Sequence, residues 1–138
     1  MADALKLELV SPERLILSEE VEMAVLPGGE GDFGVLGGHS PVISTLRPGT
    51  ISVFEAGTVK TRIFVAGGFA EVNFEGCTVL AEEAENVEEI DRDAVAQALS
   101  AAEEDLRDAE DEASRELAAR QVETASAKLE AIDSPAYA

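Results

Sequence analysis

Residues 63–76, IFVAGGFAEVNFEG, decide the fold class. Ile63 and Val65 alternate with their neighbours, and beyond Gly67-Gly68 the alternation resumes through Ala70, Val72 and Phe74. Side chains two residues apart share one face of a β-strand, so the spacing predicts strand, a turn at Gly67-Gly68, and strand again. Gly76 closes something larger. All 11 glycines lie between Gly28 and Gly76, four of the five prolines lie between Pro12 and Pro48, and neither type recurs until Pro135. Losing the turn formers so abruptly marks a change of architecture.

Toward the N-terminus the same period recurs in Leu5, Leu7 and Leu9, in Val21, Met23 and Val25, and in Ile51 and Val53. Turn signals separate these runs: Ser11-Pro12, Pro27-Gly28-Gly29, Arg47-Pro48-Gly49, Ala56-Gly57 and Glu75-Gly76. Many short strands at that spacing predict an antiparallel sandwich or flattened barrel over residues 1–87. Residues 88–138 read as helix. Asp91 is placed to cap a first helix over about 91–108, with Val95, Leu99, Ala102, Leu106 and Ala109 as its apolar stripe. A second stripe, Ala118, Val122, Ala125, Leu129 and Ile132, lies about 140° away on a common helix. One straight helix cannot bury both, so a break is expected at Glu110-Asp111-Glu112, with Ser114 as a cap and a second helix over about 114–132, then a short tail.

Charge narrows the partners. Ten Lys and Arg stand against 29 Asp and Glu, a formal net charge of −19. Such a surface repels phosphate backbones and anionic headgroups, which excludes nucleic acid and direct membrane insertion as expected partners. The N-terminal MADALKLELVSPERL lacks the basic and long apolar segments of a leader peptide, and no run approaches a membrane span. Cys77 stands alone with no basic flank, so a buried thiol in a reducing compartment is expected.

The densest segment is PGGEGDFGVLGGHSP, residues 27–41. Its Gly29-x-Gly31-x-x-Gly34 matches a dinucleotide fingerprint in spacing alone. Gly37, Gly38 and Pro41 preclude the helix that would receive a pyrophosphate, and Glu30 and Asp32 would repel it. The loop reads instead as a glycine-shaped connection with Phe33, Val35 and Leu36 packed inward and Glu30 and Asp32 at its tip. Solvated acids and a docking contact are both open readings of that tip. His39 is the only histidine; it reads first as a structural hydrogen bond, with an interface contact and a general base as the alternatives. No nucleophile–base pair or metal-ligand cluster is visible, so no catalytic residue, cofactor or metal is expected.

Pro27-Gly28-x-Glu30-Gly31-Asp32-Phe33-Gly34-Val35-Leu36-x-x-His39-x-Pro41, followed by Leu46-x-Pro48-Gly49, resembles the epsilon subunits of bacterial F-type ATP synthases. Ala66 to Val72 is similar to that family's glycine turn, and Thr78-Val79-Leu80-Ala81 to its last strand. The resemblance implies a flattened sandwich of about ten strands with an antiparallel two-helix hairpin. It also implies a non-catalytic rotor subunit of the central stalk, joining the gamma subunit to the ring of c subunits on the cytoplasmic face of the inner membrane. Glu30, Asp32 and Phe33 would then face the c ring and His39 the gamma subunit, with the helices able to reach the catalytic alpha/beta head. Some members bind ATP through Ile/Leu-Asp-x-x-Arg-Ala; here Ile90 and Asp91 are followed by Ala94 where arginine is expected, so ATP binding is not expected. With 5 basic and 15 acidic side chains after Val87, the helices are expected to inhibit hydrolysis weakly. A stand-alone acidic sandwich sensing a ligand such as ATP is the alternative, and an enzyme a third.

Overall fold

The computed structural model describes residues 4–137; the first three residues of the stretch searched for a leader lie outside it. Eight strands, β1 (Leu5–Val10), β2 (Leu15–Val21), β3 (Met23–Gly28), β4 (Gly31–Leu36), β5 (Val42–Thr45), β6 (Gly49–Glu55), β7 (Thr58–Asn73) and β8 (Gly76–Asn86), come first. A 3-10 turn at Val87–Glu89 leads into α1 (Arg92–Asp108) and α2 (Glu112–Asp133).

The strands form one continuous ladder, β2-β1-β8-β7-β6-β3-β4, with β5 also paired to β7. All pairs are antiparallel except β1 with β8, so the expected antiparallel sandwich contains one parallel pair. The ladder folds into two layers because β7 and β8 belong to both. The second half of β7 pairs with β5 (Thr45↔Phe69), whereas its first half pairs with β6 (Ile51↔Ile63). Burial switches parity along it: Ile63 and Val65 face the core, then Ala70 and Val72. In β8 the switch runs from Cys77, Val79 and Ala81 to Ala84.

Gly67 and Gly68 sit at this switch with φ of +73° and +100°, a region that L side chains avoid. No chain reversal occurs there. The predicted turn is a bend within an unbroken strand, and it lets the strand pass from one sheet layer to the other. That also accounts for the strand number. Where about ten strands are expected the structure has eight, because β7 and β8 each run unbroken through the bend.

The core joins Leu5, Leu7, Leu9, Val21, Ile51, Val53, Ile63, Val65, Ala70 and Val72, as their alternation predicts. Three expectations fail for local reasons. In β3 the core-facing residues are Ala24 and Leu26, while Met23 is half-buried, because a bend at Glu22 separates Val21 from Met23 and resets the face. Phe74 lies past the end of β7 in a turn, where it is 68% exposed. Leu36 points outward, opposite in parity to buried Val35. Cys77 is buried, and that burial pushes its thiol up to about 11.

The helices break at the acidic run. Asp111, rather than Ser114, caps α2: its carboxylate accepts the Ser114 N–H at 2.7 Å. Val95 and Ala102 of α1 and Ala118 and Ala125 of α2 are buried. Leu117 is left 50% exposed. A second, smaller cluster fixes the hairpin to the sandwich: Phe64, Ala66 and Ala131, with Val87, Ile90 and Ala127 around them. Phe64 faces away from the main core. The uninterrupted run Ile63-Phe64-Val65-Ala66 is thus a strand segment buried on both faces.

Candidate docking surface

The acidic loop is a tight hairpin between β3 and β4, paired as far as Gly28↔Gly31 with Gly29 and Glu30 at the turn. It is clamped from the side by the connection between β5 and β6. The Gly29 N–H donates to the Thr45 carbonyl at 2.9 Å, and the Arg47 N–H to the Pro27 carbonyl at 3.0 Å. The Arg47 guanidinium adds a bond to the Gly28 carbonyl at 2.7 Å. Glu30 stands exposed at this rigid tip.

Asp32 is placed differently. One carboxylate oxygen is ion-paired to Arg47, and the other accepts the Tyr137 hydroxyl at 2.9 Å. That hydrogen bond, followed by desolvation, raises the phenol above its ordinary range. Phe33 is half-buried and packs against the main core, which leaves it part of its ring for a contact. Arg47 and Tyr137 carry no signal beyond a turn motif and a tail, and the sequence reading passes over both.

His39 donates from Nδ1 to the neighbouring Ser40 carbonyl at 2.6 Å, a local bond of the kind expected. It lies in the β4–β5 connection, next to a sheet face that the sequence reading also misses. Register lines up Leu15, Val10, Leu80, Phe69 and Thr45 across five strands. Leu15, Leu80 and Phe69 are 57%, 41% and 39% exposed, and Ile43, one row away, is 71% exposed. The hairpin of helices covers the outer face of the other layer, through Phe64; this layer's outer face is open.

Residues 4–87 match the family model described as the ATP synthase, Delta/Epsilon chain, beta-sandwich domain. Over 131 residues the chain is 50% identical to the ATP synthase epsilon chain of Rhodospirillum rubrum, spanning 95% of this chain and 98% of that one. The chain belongs to the ATP synthase delta/epsilon family. It is similarly 48% identical over 139 residues to the epsilon chain of Rhodospirillum centenum, covering 97% of this chain and 95% of that one. Among solved structures, a chain of the Euglena gracilis mitochondrial ATP synthase, solved with OSCP, F1 and c-ring, superposes with a TM-score of 0.79 at 31% identity. That likeness covers 90% of this chain and 78% of the Euglena chain.

The ATP-motif positions of this delta/epsilon chain fall where the helices meet the sandwich. Ile90 is half-buried against the Phe64 cluster, and Asp91 caps α1, accepting the Asp93 and Ala94 N–H groups at 3.0 and 3.2 Å. Ala94 lines a cleft of about 970 Å³ between the helices and the sheet. Among the described residues, six carboxylates line that cleft, Glu83, Asp91 and Asp105 among them, against Arg120 and Lys128. Lys128 is itself engaged, 2.5 Å from Glu83 and 3.6 Å from Glu85, with its ammonium 5.6 Å above the Phe64 ring. No three His, Cys, Asp or Glu side chains among the described residues are grouped to hold a metal.

The open end of the hairpin is closed by a bidentate pair, Arg92 to Asp133 at 2.9 and 2.7 Å. Arg92 holds the Asp133 carboxyl below its ordinary value of 3.8, and the Ser114 backbone does the same for Asp111. A depressed folded pKa adds stability above 3.8 that is lost as pH falls through the lower folded value. Loss of these two contacts is therefore expected to loosen the helices as pH drops below about 4. Far-UV circular dichroism during acid titration checks this, and Asp133→Asn should remove part of the acid-dependent loss.

Proposed function

We propose that the chain is the rotor subunit of a bacterial F-type ATP synthase that joins the gamma subunit to the c ring. The observation that carries this reading is the likeness, over 90% of the chain, to a subunit solved within an F1/c-ring assembly. The sandwich, residues 1–87, is the docking body and residues 88–138 the accessory hairpin. Its acidic tip, with Glu30 foremost and Asp32 and Phe33 behind it, meets basic and polar loops of the c ring. The Leu80–Phe69 ridge, with His39 nearby, meets gamma. The subunit has no catalytic residues of its own and works by rigid transmission of torque. No helix among the described residues is long and apolar enough to cross a membrane. A place on the cytoplasmic face of the inner membrane therefore follows from its partners.

The helices act weakly on catalysis. A tail with 15 acidic side chains is repelled by acidic loops of a catalytic head, and its carboxylate-lined cleft disfavours ATP. Reconstitution with gamma and c subunits tests both statements. The intact chain should restore coupled ATP synthesis, and truncation after Val87 should change ATP hydrolysis by less than about two-fold, small against the ten-fold that 1.4 kcal/mol would produce. Strong activation on truncation would overturn the weak-inhibition reading. Failure of the intact chain to bind gamma would favour the stand-alone sensor.

A further inference from the structure

The outer face of the β6–β7 ladder holds a half-buried cation with no acid beside it. Ser52 of β6 and Arg62 of β7 are register partners, so their side chains stand together on that face, with Thr50 two residues along. With Arg47, Glu130 and the tail that follows α2, they line a cavity of about 210 Å³. Ser52 is only 3% exposed. Arg62 is half-buried, and among the described residues it makes no ion pair. The Tyr137 carbonyl accepts one of its N–H groups at 2.6 Å, but its buried Nε–H has no partner. Arg14, Arg107 and Arg120 also lack an ion pair, yet each of them is exposed to water. Arg47 is already matched by Asp32. A guanidinium withdrawn from water with an orphaned donor is costly unless something supplies the missing acceptor and charge.

The cavity limits what that group is. It is smaller than the roughly 300–1,000 Å³ of sites for organic ligands, so a nucleotide does not fit. Donors dominate its lining: a guanidinium with the Thr50 and Ser52 hydroxyls suits the oxygens of a small oxyanion. Of its two acids, Asp32 is engaged by Arg47 and Tyr137, which leaves Glu130. A fully ionised anion such as sulfate is repelled by that carboxylate. Inorganic phosphate keeps a proton near neutral pH, and its P–O–H group donates to a carboxylate instead. We propose that this cavity is a site for inorganic phosphate. Arg62, Thr50 and Ser52 donate to the anion, and Glu130 accepts from the proton that phosphate retains. The site shares only Pro48 with the cleft that Ala94 lines, and it does not rest on either docking contact.

Titration of the nitrogen-15-labelled full-length chain with sodium phosphate, at constant ionic strength, tests this at the Arg62 Nε–H signal. That signal should shift and saturate with a Kd on the order of 1 mM, and sulfate should bind at least about ten-fold more weakly. Ser52→Ala leaves Arg62 in place and should weaken phosphate about ten-fold, the size of one lost hydrogen bond to a charged group. Glu130→Gln turns the repelling acid into a group that also donates, and should bring sulfate within about two-fold of phosphate. Arg62→Gln removes the reporter, so the phosphorus NMR linewidth follows that variant, and broadening by the unaltered chain should be lost. No Arg62 response up to about 50 mM phosphate means that the cavity holds water only, which overturns the proposal. Equal responses to phosphate and sulfate in the unaltered chain overturn it as ionic screening. Unchanged affinity in Ser52→Ala, or broadening that survives Arg62→Gln, places the anion elsewhere and overturns it too. Sulfate still excluded by Glu130→Gln overturns the part given to Glu130.

Discussion

Gly68→Ala should cost the chain on the order of 3 kcal/mol or more, enough to unfold much of a small domain at physiological temperature. An added β-carbon would sit 1.9 Å from the Leu80 carbonyl oxygen and 3.0 Å from the Ala81 α-carbon, both backbone atoms of the paired strand. Neither can move without breaking the β7–β8 ladder at the point where it passes between layers. The φ of +100° adds strain of its own. Gly57→Ala separates the two causes. Its φ is +81°, but nothing lies within 4 Å of the added carbon, so it should cost only about 1 kcal/mol. Urea denaturation of both variants measures the difference. Near-equal midpoints would mean that the bend tolerates a side chain and that the layers are not joined as rigidly as the register implies.

That bend also shows where the sequence stops being readable. Two adjacent glycines carry the signal of a turn and of a sheet-crossing bend alike; only the partners of the flanking residues tell them apart. Leu5, Leu7 and Leu9 were legible because one face of β1 is buried and the other polar. In β3 both parity classes are apolar, so spacing alone chose Val25 over Ala24 and Leu26, and the Glu22 bend made that choice wrong. Phe64 was missed because an alternation count credits Ile63 and Val65 and ignores the apolar residue between them. Helices were easier, since their stripes are local, although the cap fell on Asp111, an acid within the very run that marked the break.

The candidate site divides in the same way. A glycine-shaped loop with Glu30 at its tip is local and was visible. Asp32 looked like a second solvated acid, yet its partners lie 15 and 105 residues away, at Arg47 and Tyr137. No periodicity reports on such pairs, because topology creates them. The apolar ridge is less legible still: Val10, Leu15, Phe69 and Leu80 each look like an isolated surface residue until register aligns them.

Leu80→Glu is the variant expected to damage assembly most while sparing the fold. Leu80 occupies a central strand, flanked in its row by Val10 and Phe69, with Val79 and Ala81 on either side pointing inward. Because it is already 41% exposed, a glutamate there meets water in the free chain, and stability should change by less than about 1 kcal/mol. Docking gamma over the ridge would bury that carboxylate without a partner, which costs about 3 kcal/mol and lowers affinity about 100-fold. Leu15→Glu should do less, since an edge-strand residue belongs to the wetter rim of a contact. Leu117→Glu, on the helices rather than this face, should do nothing to gamma binding. Titration of gamma against the three variants orders the effects. If Leu80→Glu binds as tightly as the unaltered chain, gamma does not use this face, and the apolar ridge through Leu80 and Phe69 needs a different occupant.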